Sequence, residues 1–293
     1  MSTSTPETSS EMPNLRWSGM THQGKVRSNN EDAFLALRFN GDEVNYLGKI
    51  GEDRIADSDF VFAVSDGMGG QKSGEFASRI TIEKLSQWLP KNFRVSALGM
   101  ANDPTEILIE IFISIHEELI KLGRSYEECN GMGTTLSLCW ITPERLYFGH
   151  VGDSRIYHLP RDGGLHQLTQ DHTHSGWLQR KGKLNEREAR SHPMRHALSQ
   201  SLGANRQFVD PQVGAVIYEP GDRFLICSDG LTDGLWDRHL EEFIREPSAE
   251  NSAKDPAQLL IEESLERSGR DNLTAIVVET GSASSTPPMQ PQS

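Results

Sequence analysis

The sequence has few of the features that mark secreted, membrane-spanning or disulfide-stabilised proteins. It contains three cysteines in 293 residues, and no two of them are spaced as CxxC, which argues against a disulfide framework and favours a reducing compartment. No apolar run approaches the roughly 20 residues of a membrane span, and the N-terminus lacks a basic region followed by an apolar one. We therefore expect a soluble cytoplasmic protein whose cysteines are small buried side chains.

Positive charge is also scarce. The chain carries 29 Lys and Arg against 42 Asp and Glu, a formal net charge of −13. A protein that holds nucleic acid or an anionic membrane needs a broad basic surface, which this balance disfavours. We expect neither partner, and we expect a monomer.

Both ends of the sequence differ in composition from the rest. Residues 1–14 and 281–293 are rich in Ser, Thr and Pro and lack apolar periodicity, so they are predicted to be disordered tails. Residues 15–280 are predicted to form one domain, a size that single α/β or sandwich domains reach. Residues from 172 to about 202 are polar and weakly helical, which predicts a mobile surface segment.

Strand-like and helix-like segments do not alternate regularly along this domain. Apolar and β-branched runs predict strands, and amphipathic spacing predicts helices that begin at Ser73 and at Asp103-Pro104, the second ending at Gly123. Residues 40–59 carry six acids and predict a long loop or irregular hairpin, and the three short runs between 134 and 159 predict a meander of antiparallel strands. This order indicates an α+β fold with antiparallel sheets. The predicted strands are 33–39, 60–64, 134–141, 145–151, 155–159, 215–218, 223–227 and 272–279, and a third helix is predicted at 255–267.

Two of the predicted strands stop at the same tripeptide, Ser-Asp-Gly, which places Asp66 and Asp229 at strand ends. A carboxylate at the end of a buried strand is held in place by the sheet, and oxygen ligands suit Mg²⁺ or Mn²⁺. Glu31 and Asp32, Asp153 and Asp271 also adjoin strands. A single Asp-Gly pair is usually only a turn, but several clustered carboxylates would repel one another without a cation. The pattern predicts a site for two metal ions.

Other chemistries find little support. Val64 stands where an aspartyl-nucleophile phosphatase would need the first Asp of Asp-x-Asp, and neither G-x-S-x-G nor HExxH is present. The segment GMGGQKSG lacks the strand-helix setting of a dinucleotide site. The histidines, His196 among them, show no metal-ligand spacing, so we interpret them as structural or solvated.

Seven short motifs, taken in order, resemble the metal-dependent Ser/Thr protein phosphatase family (PPM, type 2C) in its bacterial form. They extend from Thr21 to Val278, and so many motifs in one order make coincidence implausible. The motifs are THQGKVRSNNEDAF, FVFAVSDGMGG, GMGTTL, HVGDSRIY, LTQDHT, FLICSDGLTD and DNLTAIVV.

The resemblance implies a fold and a reaction. The fold is an αββα sandwich of two antiparallel β-sheets flanked by helices. The reaction is hydrolysis of phosphoserine and phosphothreonine in protein substrates by a water activated at a binuclear Mg²⁺ or Mn²⁺ centre, opposing a Ser/Thr kinase in bacterial signalling. The segment from 172 to about 202 is, by the same resemblance, a flap beside the cleft.

The resemblance also implies roles for individual residues. Asp66 bridges the two ions, with the Gly67 carbonyl on one and Asp229 and Asp271 on the other. Glu31 and Asp32 serve the second ion directly or through water. Asp153 and Asp229 hold a weaker third ion, and Arg27 binds the substrate phosphate, for which a planar, permanently charged guanidinium is suited.

One residue departs from the pattern of many eukaryotic relatives. Met68 occupies the position of a histidine that helps to protonate the leaving alcohol, so this step is unassigned. Two other functions stay open at this stage. The chain could be an inactive relative that binds phosphopeptides as a scaffold, or it could act on one dedicated phosphoprotein in a transcription or secretion switch.

Overall fold

The computed structural model describes residues 14–40, 43–55, 58–69, 73–97, 103–206, 208–245 and 253–281, with the backbone alone for 92–97. Within these ranges the strands form two antiparallel sheets that pack face to face, and helices cover both outer faces. The predicted αββα sandwich is therefore confirmed.

The element bounds follow the predicted order closely. The strands are β1 (Asn14–His22), β2 (Asp32–Phe39), β3 (Val44–Tyr46), β4 (Ile50–Arg54), β5 (Asp59–Met68), β6 (Gly133–Thr134), β7 (Leu136–Ile141), β8 (Leu146–Val151), β9 (Arg155–Leu159), β10 (His166–Gln167), β11 (Leu202–Gly203), β12 (Gln212–Val216), β13 (Arg223–Cys227) and β14 (Leu273–Gly281). The helices are α1 (Ser73–Ala97), α2 (Pro104–Ser125), α3 (His174–Arg180), α4 (Glu186–Ser191), α5 (Asp229–Gly234), α6 (Asp237–Arg245) and α7 (Pro256–Arg267), with a short 3₁₀ turn at Glu127–Cys129.

The two sheets differ in size. One has the strand order β10-β9-β13-β14-β1-β4. The other follows β11-β6-β5-β7-β8-β12, with β2 paired to β5 and β3 paired to β2. Strand β5 contains Asp66, and β14 begins two residues after Asp271. Both strands therefore lie inside their sheets, with a paired strand on either side.

Strand β5 shows how the sandwich is held together. Its side chains alternate, so that Phe60, Phe62 and Val64 face the second sheet while Val61 and Ala63 face α1 and α2. All five are fully buried. Burial of one large apolar side chain stabilises the fold by about 1.5–3 kcal/mol, so packing on both faces fixes the position of the strand and of its end.

Strand β14 is buried in the same way on the other sheet. Ile276 and Val278 face β5 and its neighbours across the sandwich, whereas Ala275 and Val277 pack against α5, α6 and α7. The core is thus three apolar layers, one between the sheets and one beneath each layer of helices. This packing holds the ends of the central strands of both sheets in fixed positions.

The predicted helix starts are close to those in the structure, and one predicted end is wrong. Asp103 caps α2 by accepting a hydrogen bond from the Thr105 backbone N–H at 2.9 Å. The helix does not end at Gly123 but continues to Ser125. Gly123 serves packing instead, because a Cβ at this position would lie 3.1 Å from the Cys129 carbonyl oxygen.

Two predictions about strand pairing were incomplete. The insert at 40–59 contains β3 and β4, which do not pair with each other; β3 pairs with β2 and β4 with β1 of the opposite sheet. The predicted antiparallel meander between 134 and 159 is wrong at its last strand, because β9 does not pair with β8 but with β13 in the other sheet. Gly152, at a φ of 118°, lies in the turn where the chain changes sheet.

The described residues also refine the domain limits. Asn14 and Gly281, which were placed in the tails, pair with each other as the end residues of β1 and β14. The remainder of both predicted tails lies outside the described residues. In the part of the chain that the structure describes, no helix combines the length and apolar character needed to cross a bilayer.

A buried carboxylate at the start of β5 gives a testable pH dependence. Asp59 is 8% exposed and accepts a hydrogen bond from Trp140 Nε1 at 2.8 Å. Burial raises its pKa to about 6, against the hydrogen bond, which lowers it. Because the folded-state pKa lies above the unfolded value of about 3.9, the wild type loses stability as the pH rises through this interval.

We expect Asp59→Asn to remove that loss. The free energy of unfolding of the variant, relative to the wild type, should rise by about 1–2 kcal/mol between pH 5 and pH 8. Urea unfolding followed by tryptophan fluorescence at the two pH values measures this difference. A difference that stays constant with pH would show that Asp59 is ionised without cost in the folded protein.

Candidate metal centre

The predicted acidic residues meet at one edge of the sandwich. Asp32 begins β2 directly opposite Asp66 in the β2–β5 register. Asp229 follows β13, Asp271 precedes β14, and these two strands are neighbours in the other sheet. The pKa of Asp66 responds to the charges of the other four aspartates, Asp32, Asp229, Asp153 and Asp271. The structure therefore brings together carboxylates that are up to 239 residues apart in sequence.

The backbone around Asp66 is fixed by two threonines. The Asp66 carbonyl accepts hydrogen bonds from Thr134 Oγ1 at 2.7 Å and from the Thr135 N–H at 2.8 Å. The Asp66 N–H in turn donates to Thr135 Oγ1 at 3.0 Å. The GMGTTL motif thus holds the central aspartate, and its side chain stays partly open to the cleft.

The two Ser-Asp-Gly ends turn out to be different structures. Strand β5 does not stop at Asp66, because Gly67 and Met68 continue it by pairing with Thr134 and Gly133. Gly67 is required there, since a Cβ would lie 2.1 Å from the Gly74 carbonyl oxygen. The second motif ends β13 and begins α5, with Ser228 as the extended N-cap and Asp229 as the first helical residue.

Asp32 is one of the two buried acids of the cluster, at 8% exposure. One carboxylate oxygen, Oδ2, accepts hydrogen bonds from Ser228 Oγ at 2.8 Å and Thr274 Oγ1 at 2.7 Å. Its other oxygen, Oδ1, is buried and has no hydrogen-bond partner among the described residues. Burial is the largest cause that raises the pKa of Asp32, to about 7. The hydrogen bonds from the two hydroxyls lower the pKa, and repulsion from Asp229 and Asp271 raises it further.

The pKa values of two further aspartates are raised by the same causes. Burial and then the charges of Asp32 and Asp229 raise the pKa of Asp66 well above its ordinary value. Burial and the charge of Asp229 likewise raise the pKa of Asp153, against the attraction of Arg155. An ionised buried carboxylate without a counter-charge is unfavourable. Oxygen donors of this kind, with one buried oxygen unpartnered, fit hard divalent cations.

Glu31 lies in the loop that leads into β2. Its carbonyl accepts from the Gly67 N–H at 3.2 Å, and its N–H donates to Asn272 Oδ1 at 2.8 Å. Asn272 Nδ2 also donates to the carbonyls of Gln23 and Asn29, each at 2.8 Å. Asn272 therefore fixes the loop that carries Glu31. Sequence reasoning gave Asn272 no role, although it follows Asp271 in the DNLTAIVV motif and is a polar residue at the start of a buried strand.

Arg27 pairs with an acid of the cluster. Its Nη2 lies 2.6 Å from Asp271 Oδ2, and the Arg27 side chain is 52% exposed. A half-exposed pair of this kind is weak. The guanidinium therefore lies beside the carboxylate cluster and can exchange its acceptor at little cost.

A histidine that the sequence analysis interpreted as structural or solvated faces the cluster. His196 Nδ1 lies 3.0 Å from Asp229 Oδ2, and one potential ligand atom from each of Asp153, His196 and Asp229 lies within 4.8 Å of the others. The hydrogen bond to Asp229 raises the pKa of His196, against burial. No spacing signal could have found His196, because the two aspartates are 43 and 33 residues away in sequence.

His196 is part of the predicted flap, which is attached to the domain at several points. The His172 N–H donates to the Gly152 carbonyl at 2.7 Å, and within the flap Thr173 forms an isolated β-bridge with Leu198 that holds its two ends together. Arg190 of α4 donates to the backbone carbonyls of Thr232, within α5, and of Leu235, which follows α5. These contacts place α3 and α4 of the flap over the cleft.

The cleft beneath the flap is a cavity of about 410 Å³. Asp153, Asp229 and His196 line one side of it. Arg155 and Asp171, which also line the cavity, form a two-point ion pair, with distances of 2.8 Å from Arg155 Nε to Asp171 Oδ1 and 2.6 Å from Nη2 to Oδ2. Although burial opposes it, Arg155 lowers the pKa of Asp171. Asp171 therefore already has a cationic partner, whereas Asp32 and Asp66 have none among the described residues.

The sandwich and the carboxylate cluster define a metal-dependent hydrolase. The model of one family, described as protein phosphatase 2C, matches residues 41–266, well over half of the chain. The chain therefore belongs to the protein phosphatase 2C family.

Individual relatives and solved structures agree with this assignment. The serine/threonine phosphatase stp of Listeria innocua is 29% identical over 260 residues, which cover 88% of this chain and 93% of that protein. The structure of the S. agalactiae serine/threonine phosphatase has a TM-score of 0.74 at 30% identity, covering 90% of this chain and 99% of that one. The catalytic domain of the phosphatase PstP in complex with two manganese ions has a TM-score of 0.69 at 29% identity, covering 92% and 99%.

Proposed function

We propose that this protein is a serine/threonine phosphatase that removes phosphate from phosphoserine and phosphothreonine in other proteins, with Mg²⁺ or Mn²⁺ as cofactor. It is a phosphoric monoester hydrolase of the protein phosphatase 2C family. The names of its relatives and the two manganese ions of the PstP structure support this proposal.

The observation that supports the proposal most strongly is that Asp32 and Asp66 lie close together with raised pKa values. These acids face each other across two paired strands, both have raised pKa values, and Asp32 keeps one buried oxygen without a partner. A catalytically inactive relative that serves as a phosphopeptide scaffold has no need of such a costly cluster. Its retention in full therefore favours an active enzyme.

The carboxylates of the cluster fit two metal ions, and Asp153 adds a ligand for a third, weaker one. We assign Asp66 to both ions, the Gly67 carbonyl to one of them, and Asp229 and Asp271 to the other. Glu31 and Asp32 serve the second ion directly or through water, and Asp153 with Asp229 flanks the third. When bound, such ions supply a water nucleophile that is active near neutral pH and offset charge on the phosphoryl oxygens.

The chain's own contribution is to hold these groups in place. Thr134 and Thr135 fix the Asp66 backbone, Ser228 and Thr274 orient the Asp32 carboxylate, and Asn272 fixes the Glu31 loop, all through contacts of 2.7–3.0 Å. Hydrogen bonds of this kind set the geometry of ligands and matter for affinity. Met68, next to Gly67, has no proton to give, so this residue does not protonate the leaving alcohol.

Arg27 is proposed to bind the substrate phosphate. In this structure it pairs with Asp271, and an ion held by Asp271 would compete with the guanidinium for the same carboxylate oxygen. Arg27 would then turn its planar donor group to the phosphate, an anion that it can contact through two hydrogen bonds.

We expect Arg27→Ala to raise KM for a phosphopeptide roughly 10- to 100-fold, with a smaller loss of kcat, because a charge-assisted contact of about 1.5–3 kcal/mol is lost. Steady-state kinetics with Mn²⁺ measures both constants. Arg16→Ala is the matched control, since Arg16 forms an exposed pair with Glu52 on β1, outside the cluster. An unchanged KM in the Arg27 variant would remove Arg27 from the substrate site.

The function itself is tested with the purified full-length chain. Phosphate release from phosphoserine and phosphothreonine peptides is expected with Mn²⁺ and is expected to stop in EDTA. An inactive relative would instead bind the peptides tightly without turnover. A panel of phosphoproteins would then separate a broad enzyme from one with a single dedicated substrate.

The proposed partners are phosphoproteins that a bacterial Ser/Thr kinase has modified. The net charge of −13 gives no support for nucleic acid or an anionic membrane as a partner. The three cysteines are free and buried, which is compatible with a reducing cytoplasm. We propose a monomeric enzyme in that compartment.

A further inference from the structure

A second cavity of about 290 Å³ lies beside the metal cleft, between the flap and the loop that leads into β14. Four arginines line it, together with Trp236, Ser268 and one acid, Asp233; they are Arg190, Arg195, Arg267 and Arg270. In a chain with 13 more acidic than basic residues, a cavity with four guanidinium groups and one carboxylate is unusual. Such a surface attracts anions.

Two of these arginines are held rigidly. Arg190 donates to the backbone carbonyls of Thr232 and Leu235, pairs with Glu186 at 3.1 Å and Asp237 at 3.6 Å, and stacks on Trp236, with 4.4 Å between the guanidinium carbon and the ring centroid. It shapes the wall of the cavity, and the charge that is open to an anion comes mainly from the other arginines. Arg267 lies over Phe243 at 5.5 Å and pairs with Glu263 one helical turn away. An arginine that is already ordered loses less conformational entropy when it binds an anion.

The other two arginines are more available. Arg195 approaches Asp233 only at 3.6 Å. Arg270 is exposed, and within the described ranges it has neither a hydrogen-bond acceptor nor an ion-pair partner. Its backbone is nevertheless fixed, because the preceding Gly269 has a φ of 67° and its carbonyl accepts from the Lys25 N–H at 2.7 Å.

The cavity is joined to the metal centre by shared residues. Arg190, Arg195 and Asp233 line both this cavity and the cleft under the flap. Asp233 lies 3.6 Å from His196 Nε2, and Arg270 precedes Asp271 in the chain. A peptide whose phosphorylated residue enters the cleft can therefore extend its neighbouring residues over the four arginines.

We propose that this cavity binds a second phosphate group of the substrate, on a serine or threonine a few residues from the one that is hydrolysed. The inference rests on the proposed function and adds a substrate class to it, namely protein segments that are phosphorylated more than once. A guanidinium binds phosphate through two parallel hydrogen bonds, and a dianion gains more than a carboxylate from several guanidinium groups.

The test compares four sets of peptides of one sequence. One peptide carries a single phosphothreonine, and a second set adds a phosphoserine two to five residues to either side. A third set has aspartate and a fourth has serine at the added position. We expect kcat/KM of the wild type to be roughly 10-fold higher for the best doubly phosphorylated peptide than for the single one, mainly through KM. The serine peptides should show no gain.

The double variant Arg267→Gln/Arg270→Gln is expected to lose this gain and to hydrolyse the singly phosphorylated peptide within about twofold of the wild type. Arg124→Gln, an exposed arginine at the end of α2, is the control and should keep the gain. Absence of any gain in the wild type at all spacings would overturn the proposal. An equal gain with aspartate would overturn the assignment to phosphate.

A binding measurement separates this proposal from the proposed function. Fluorescence polarisation with labelled peptides, Mn²⁺ and the Asp66→Asn protein should give a Kd for the doubly phosphorylated peptide roughly 10-fold below that for the single one. This preference should disappear when the two glutamine substitutions are added. If the wild type hydrolysed no phosphopeptide while the Asp66→Asn protein kept this preference, the proposed activity alone would be contradicted. Turnover by the wild type without the preference would contradict the second phosphate site alone.

Discussion

Asp66→Asn is expected to lower kcat with Mn²⁺ by a factor on the order of a thousand, because the substitution removes the one carboxylate assigned to both ions. Asparagine has nearly the same shape, so the hydrogen bonds of Thr134 and Thr135 to the backbone of residue 66 are retained. The loss should therefore reflect the missing charge and not a rearranged strand.

The folded state of this variant supplies the necessary control. Burial and neighbouring acids raise the pKa of Asp66, so its charge is unfavourable in the metal-free protein. The variant without metal should thus unfold at the same temperature as the wild type or a higher one at pH 8. Activity within tenfold of the wild type, in a protein shown by mass spectrometry to be the intended variant, would contradict the role of Asp66.

Removal of the metal is expected to abolish activity and to lower the unfolding temperature. At a free Mn²⁺ concentration of 100 times Kd, one bound ion stabilises the folded protein by about 2.7 kcal/mol. For a domain of this size we expect Mn²⁺ to raise the unfolding temperature by about 5–10 °C. Differential scanning calorimetry of the EDTA-treated protein, before and after addition of Mn²⁺, measures this effect.

The size of this increase should depend on pH. The pKa of Asp32 is about 7 without metal, and those of Asp66 and Asp153 are also raised. Each folded-state pKa lies above the unfolded value, so these acids contribute a loss of stability as the pH rises above about 4, a loss that for Asp32 extends through about 7. Bound cations reverse the preference, because they favour the ionised carboxylates.

We therefore expect Mn²⁺ to raise the unfolding temperature more at pH 8 than at pH 6. The increase in unfolding temperature caused by Mn²⁺ is also measured for Asp66→Asn. It should be smaller than in the wild type at both pH values. Burial lowers the pKa of His150 to about 3, so this histidine stays neutral in the folded protein at both pH values. Its effect on stability is the same with and without Mn²⁺ and cancels when the two are compared. An equal increase at the two pH values would show that the cluster is already ionised without metal.

The arginine-lined cavity links specificity to the flap. Arg190 and Arg195 belong to the flap and border both cavities, and the next residue, His196, contacts Asp229. A substrate that fills the second cavity would thus contact the segment that closes over the cleft. This arrangement gives the polar flap, which carries few apolar side chains, a role in selecting the substrate.

Several features of the site were predictable from the sequence because they depend on local patterns. Asp66, Asp229 and Asp271 adjoin apolar runs that can only be buried strands, and the structure places all three at one edge of the sandwich. The strand at 155–159 and the one at 223–227 have the predicted bounds. A short apolar or β-rich run bounded by turn residues such as Gly, Pro, Asp and Ser was a sufficient signal in these cases.

Other features depend on partners distant in sequence and were not predictable. The extension of β5 past Asp66 requires Gly133 and Thr134 as pairing partners. The transfer of β9 to the second sheet depends on β13, which lies more than 60 residues later. His196 gains its place beside Asp229 only because α4 is held to α5 by Arg190.

The sequence by itself determined the elements and the residue types: alternating apolar side chains that must be buried as strands, and carboxylates placed where those strands end. Only the tertiary structure decided which strands are neighbours, which acids share one edge, and which arginines and histidine stand beside them. The reason is physical. Burial and hydrogen bonding within an element follow from neighbouring residues, whereas the field that raises the pKa of Asp66 is the sum of charges from four separate parts of the chain.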